Sequence, residues 1–226
     1  MGLMNLRALY VPAAVLAVCA AGLSAQVIEF ESSGLRYQTL SKNGITVMFA
    51  YLPAHLHDYQ IIQVGVSNGS QEACTIRPED FVFERTEGTR LYATPAKVVV
   101  DRLLERATRN DVVKLISTYE NTLNGVPRLR STNGYEARRE NALAELGSSK
   151  VKAAAAASAI AFVQTELEPG ESTDGAVFFA AQSKLPGAGR LLVRMAGRVF
   201  EFETEPASSG KTLQQRGPAE ANPPKP

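Results

Sequence analysis

The chain has 226 residues, with 24 lysines and arginines against 23 acidic residues, two histidines and no tryptophan. A net charge near zero argues against broad electrostatic attachment to nucleic acid. Two histidines leave little room for a Ser-His-Asp or Cys-His arrangement, and the few aromatics offer no platform for stacking carbohydrate.

The N-terminus reads MGLMNLRALYVPAAVLAVCAAGLSA before QVIEF. Arg7 supplies a basic start, Ala8 to Ala20 is apolar, and small residues follow to Ala25. This order predicts a secretory signal peptide over 1–25, cleaved after Ala25, and so an exported, periplasmic or extracellular protein. An uncleaved anchor helix is the first alternative. A lipoprotein is the second, since LAVC at Leu16–Cys19 approximates a lipobox with Val18 where a small residue is expected. Cleavage leaves Cys74 as the one cysteine, so stability must come from burial rather than an internal disulfide. A lone cysteine in an apolar strand is a small core residue or a link between chains.

From Val27 to Tyr92 the chain alternates as short strands separated by turns. VIEFE and LRYQTL flank Ser32-Ser33-Gly34, SKNG is a turn, and ITVMFAYL and YQIIQVGVSN are strands. NGSQ turns into ACTIRP, DFVFER alternates again, and EGTR is another turn. This spacing predicts an antiparallel sandwich or barrel.

The period then changes. Thr94 is expected to cap a helix with Pro95 at its first position. AKVVVDRLLERA places Val100, Leu103, Leu104 and Ala107 on one face. A second helix restarts at Asn110-Asp111, is lined by Val112, Leu115, Ile116, Tyr119 and Leu123, and ends at Gly125. A loop over 126–134, a third helix over 135–146 and an alanine-rich fourth, KVKAAAAASAIAFV, complete the region. The fourth extends roughly 21 Å, short of the roughly 30 Å hydrocarbon core, so it is expected to pack within the protein rather than span a membrane. Its two leading lysines suggest that it continues back through Gly147 toward Tyr135. Strands resume with GAVFFAA, GRLLVRMA and RVFEFETE, the last two joined tightly at Ala196-Gly197. The expected organisation is a mainly β fold with an α insertion. An antiparallel β-sandwich over 26–95 and 174–205 is interrupted by a helical subdomain over 96–173 and followed by a disordered tail over 206–226.

VGVSNGS (64–70), IRPEDFVFERTEG (76–88) and LEPGESTDGAVFF (167–179) carry a resemblance. In them a strand ends in an Asn-centred turn, a P-x-D-F strand follows, and an L-x-P-G-E turn precedes a G-x-V-x-F strand. This resembles the Ig-like (telokin-like) accessory domain of bacterial envelope and secreted proteins, over roughly half the mature chain. The resemblance implies an Ig-like sandwich and brings no catalytic residues with it. The helical region departs from the compact family pattern.

Few residues point to chemistry. In an extended HLHDY, His55 and His57 would share a face beside Asp58, as metal ligands do, but no third ligand stands at a suitable spacing. The competing reading is a solvated loop after Pro53. Glu79 and Asp80, as strand neighbours, would face opposite sides. SNGS offers a serine, which an Asn-Gly hairpin explains. GxSxG, P-loop and dinucleotide motifs are absent. Arg128, Arg130, Arg138 and Arg139 around Tyr135 could grip an anionic partner, or pair with Glu136 and Glu140 on a solvated face. The expectation is a non-catalytic interaction or structural module of the cell envelope, without a cofactor, whose partner is an envelope protein or an anionic ligand. A metal-dependent enzyme using His55 and His57, and a membrane-associated protein using helix 150–163, are the alternatives.

Overall fold

The structure, a computed structural model, describes residues 26–125, 131, 132, 134, 137, 140, 144, 148–180 and 188–204, with only the backbone of 53–55 and 118–125. The predicted signal peptide and tail, and most of the predicted third helix, lie outside these residues. The strands are β1 Ile28–Ser32, β2 Leu35–Lys42, β3 Ile45–Leu56, β4 Tyr59–Asn68, β5 Cys74–Ile76, β6 Phe81–Arg85, β7 Arg90–Thr94, β8 Thr165–Leu167, β9 Ser172–Ala180, β10 Gly189–Met195 and β11 Arg198–Thr204. The helices among the described residues are α1 Ala96–Arg106, α2 Arg109–Gly125 and α3 Ser149–Ile160.

Nine strands form one antiparallel sheet in the order β1-β2-β3-β4-β9-β7-β6-β10-β11, and β5 pairs with β8 in a separate ribbon. The first four are a meander whose turns follow the sequence. At Asn43-Gly44, φ is 48° and 82°, the left-handed pair that tight hairpins demand. Right-handed twist curls the sheet until its far ends approach. Lys42 Nζ then donates to Val199 O at 2.6 Å, and Gln38 Nε2 to Glu203 O at 3.2 Å, linking β2 to β11. The result is a half-barrel, mainly β and antiparallel as the alternation required.

Alternation sorts the side chains of each strand into two cores. Val47 and Phe49 of β3, Ile62, Val64 and Val66 of β4, and Phe200 and Phe202 of β11 fill the interior of the curl. The β5–β8 ribbon adds Cys74, Ile76 and Leu167 to that same core. Met48, Ala50 and Leu52 of β3, with Tyr59 and Ile61 of β4, point outward under the helices. Strands β4 and β9 are therefore buried on both faces, which explains their near-continuous apolar sequences.

The helices cover this outer face. In α1 the buried residues are Val99 and Leu103, while Leu104, expected on the packed face, is exposed. Pro95 itself is the cap residue, with φ −55° and ψ 136°, and no side chain caps the helix, in place of the expected Thr94 cap. In α2, Val112 and Leu115 are buried, and Ile116, also expected inside, is exposed. The alanine run is α3. It begins at Ser149 and is capped by Ser148, whose hydroxyl accepts from Val151 N, and the predicted continuation through Gly147 lies outside the described residues. Ala153, Ala154, Ala156, Ala157 and Ala159 are buried, and their small side chains bring α3 against both α1 and α2. None of the described helices is long and apolar enough to cross a membrane.

Beyond Ile160 the chain passes from the helix layer into the sheet core. Ala161 bridges Ala176, Phe162 N donates to Ala176 O at 2.8 Å, and the Phe162 ring packs edge-on against Phe81 at 5.3 Å. Gly175 makes this crossing feasible, because a Cβ there would lie 2.6 Å from Phe162 Cα.

A second tight junction lies at Asn68, which is wholly buried. Its Nδ2 donates to Glu72 O at 2.8 Å and Leu167 O at 2.9 Å, and its Oδ1 accepts from Ser70 N and Ser70 Oγ. Its backbone N donates to Glu171 O, and its backbone O accepts from Gly170 N. The expected Asn-Gly hairpin does not form, because β4 pairs with β3 and β9 and the chain leaves Asn68 for the other ribbon. Ser70 serves this turn.

Asn68→Ala strips partners from two carbonyls and should cost about 3 kcal/mol in urea denaturation. Gly175→Ala should cost about 2–3 kcal/mol, since backbone rather than a flexible side chain must move, and the same denaturation series reads both.

Candidate functional site

The outer face of the sheet is divided. Helices cover the β2–β3–β4–β9 half, while β6, β10 and β11 turn charged residues to solvent. Here Glu84 accepts from Arg90 Nε at 3.1 Å and from Arg190 Nη2 at 2.9 Å, and Arg190 also reaches Glu201. The Arg90 hydrogen bond foremost, with the Arg190 bond and both charges, holds the Glu84 carboxyl below its usual range against an opposing desolvation. Across β1 and β2, Arg36 pairs with Glu29, and at the end of β6 Arg85 lies 3.6 Å from Glu87 of the following turn.

Three further arginines break this pattern. Arg77 precedes the 3-10 turn at Pro78–Asp80, Arg194 lies on β10, and Arg198 opens β11. Among the described residues none of the three has a carboxylate within ion-pair distance. They line one groove of about 450 Å³ with Thr75, Asp80 and Val199. The fold positions each in turn. The β10–β11 hairpin sets Arg194 opposite Val199, and the β5 ribbon and its 3-10 turn bring Arg77 alongside. The hairpin turn itself has Ala196 at φ 48°, a left-handed conformation that costs a residue with a Cβ about 1 kcal/mol.

Asp80 is the one acidic group in the groove lining. Its Oδ2 accepts from Arg77 N at 2.8 Å. Burial raises its carboxyl pKa, against the backbone bond and charge of Arg77 that lower it. Glu79 lies beside it in the 3-10 turn and not on a strand. An adjoining recess of about 200 Å³ shares Ala196 and Arg198 and reaches Cys74, whose thiol pKa is raised by burial, with the Arg198 charge opposing. Three arginines lining one open groove supply guanidinium donors suited to hold carboxylate or phosphate oxygens through charge-assisted hydrogen bonds. The sequence signal was Arg194 and Arg198, close on either side of the two-residue turn Ala196-Gly197. Arg77 joins them only through the fold.

The other candidates are placed differently. His55 lies on β3 opposite Gln60 by its backbone, and its side chain is outside the described residues. His57 is not in an extended segment. It is the first residue of the β3–β4 turn, with φ 51°, and its Nε2 lies 3.2 Å from Asp111 Oδ2. Asp58 completes the turn and is exposed. Among the described residues no three His, Cys, Asp or Glu side chains are grouped as metal ligands. Arg128, Arg130, Tyr135, Arg138 and Arg139 lie outside the described residues.

Asp111 is a structural carboxylate. It sits in the first turn of α2, and its Oδ2 accepts from Thr108 N at 2.8 Å and Thr108 Oγ1 at 2.7 Å, a capping arrangement. Burial pushes its pKa up, but the two Thr108 bonds, then His57 and Lys114, outweigh it, and the pKa is lowered overall. The β3–β4 turn is thereby pinned to the helix layer.

No family model, curated protein or solved structure matches the chain significantly.

A lowered carboxyl pKa contributes stability above the pKa of the unfolded chain, and that stability is lost as pH falls through the folded value. Asp111→Ala should therefore cost about 1–3 kcal/mol at neutral pH. The difference from the parent should shrink as pH is lowered below the ordinary aspartate range, as followed by denaturation at a series of pH values.

Proposed function

We propose that the protein is an exported, non-catalytic binding module of the cell envelope, and that the groove of Arg77, Arg194 and Arg198 captures an anionic group on its partner. The observation that carries this reading is a contrast among the arginines of the sheet and of the ribbon beside it. Arg36, Arg85, Arg90 and Arg190 are ion-paired with carboxylates, whereas among the described residues these three form no ion pair and share one acidic groove residue, Asp80. Three guanidinium groups with a single carboxylate among them leave the groove net positive, and an external anion offsets that charge. The groove is on the half of the sheet that the helices leave uncovered, so a partner has access to it.

Export rests on the basic, apolar and small residues of 1–25. Kinship with Ig-like envelope domains rests on the turn motifs of 64–70, 76–88 and 167–179. The region between β7 and β8 is best read as an insertion. In support, β7 and β9 are neighbours, with Ala93 opposite Phe179, so the chain leaves the sheet and returns beside its point of departure. The alanines of α3 face the other helices, which weakens the reading of this helix as a membrane-binding surface.

Titration with inorganic phosphate and with a polyglutamate peptide tests the groove, followed through the side-chain N–H signals of the arginines. Shifts confined to Arg77, Arg194 and Arg198 are expected, weakening with salt, with affinity falling about tenfold or more when all three are changed to Gln. Equal shifts at Arg190, which is already paired, would reduce the groove to ordinary surface charge.

A further inference from the structure

The arginine groove contains an anion of its own. Asp80 lines it together with Arg77, Arg194 and Arg198. Two features of the fold put Asp80 there. Its Oδ2 accepts from Arg77 N at 2.8 Å, capping the 3-10 turn. The β6–β10 register ends with Phe81 opposite Val193, so Asp80 and Arg194 are the next residues on the two chains.

Asp80 is half-buried. Among the described residues, its own turn contributes the charges of Arg77 and Glu79, β10 contributes Arg194, and the β10–β11 hairpin contributes Arg198. From β7, which packs against the turn, come Arg90 and Tyr92, and Arg90 is engaged by Glu84. Burial foremost, with the Glu79 charge, raises the Asp80 carboxyl above its ordinary range, and the backbone bond and charge of Arg77 oppose this. The carboxyl therefore gains its proton at a higher pH than an exposed aspartate does.

We propose that Asp80 is a charge gate on the groove. Ionised, it offsets part of the arginine charge and opposes an incoming anion, and neutral, it leaves that charge to the anion. This rests on the reading of the groove as an anion site. The sign follows from linkage. An anion held in the groove repels the Asp80 carboxylate, so binding strengthens as pH falls through the titration of Asp80, and bound anion in turn favours the protonated carboxyl. The class of ligand follows as well. Carboxylates on a partner lose their charge over the same range, whereas a phosphate or sulfate ester keeps its first negative charge. The gate therefore selects such strongly acidic oxyanions over carboxylates as the medium acidifies.

The test uses the full-length protein at constant ionic strength, with inorganic sulfate as the probe because it stays a dianion throughout. Binding is followed through the arginine side-chain N–H signals from about pH 7 to about pH 4, a range that spans the titration of a raised aspartate. Sulfate affinity is expected to rise about threefold or more as pH falls. Asp80→Asn should bind as tightly as this already at neutral pH, and saturating sulfate should move the titration midpoint of the parent's Asp80 carboxyl upward. Asn keeps an oxygen that can accept from Arg77 N, so the turn survives the change. Equal affinities of parent and variant at neutral pH, or a pH response that persists in the variant, would overturn the gate while leaving the groove an anion site. No sulfate-induced shift at Arg77, Arg194 and Arg198 at any pH would instead overturn the reading of the groove itself.

Discussion

The arrangement of the half-barrel depends on the six hydrogen bonds of Asn68. One residue ties the end of β4 to the turn at 167–171 and to the loop leading into β5. No other side chain could do this as well, since it needs two donors and an acceptor on a short, rigid amide. The neighbouring Gly69 N donates to Gly44 O, so the β2–β3 turn joins the same junction. With three turns held together, the β5–β8 ribbon is fixed across the open end of the curl, where Cys74, Ile76 and Leu167 complete the core. The position of Arg77 follows from that ribbon, and the groove therefore inherits its shape from a buried amide.

The same logic separates the two faces of the molecule. Helices α1 to α3 shield strands that are apolar on both sides, and only small residues let them approach closely enough. Where the helices stop, the outward residues of β6, β10 and β11 become charged, and most pair with opposite charge across neighbouring strands. The groove lies at the rim of this region, at a turn that holds Ala196 in a strained conformation. Strain of this kind persists only where surrounding structure over-determines it, here two flanking strands in register.

Much of the fold was legible because burial leaves a period. Strands β1 to β4, β6 and β9 to β11 show themselves through alternation or continuous apolar runs, and α2 and α3 through helical spacing and alanine content. Strands β7 and β8 were not legible. RLYAT is short and partly exposed, and TEL has three residues, so neither has a pattern of its own. The 3.6-residue period also misplaced Leu104 and Ile116, because helix rotation depends on what packs against it and a sequence window does not contain that partner. For the site, the HLHDY reading assumed an extended chain, and the turn at His57 removed that premise. The arginine groove joins residue 77 to residues 194 and 198, more than a hundred positions further on, and no local spacing expresses such a convergence.

The pairing of β4 with β9 has a consequence in time. The meander β1–β4 can form as soon as it is synthesised, since each of its pairings is local. Ser67 meets Ser172 only 105 residues later. Until then β4 presents a free edge and two apolar faces, a surface prone to aggregation. Helices α1 and α2 emerge in that interval and can cover one of those faces. The other face and the edge must wait for the last third of the chain, so folding is governed by late, long-range closure and is expected to be slow for a domain of this size. During that wait the incomplete sheet is the natural client of a holding chaperone.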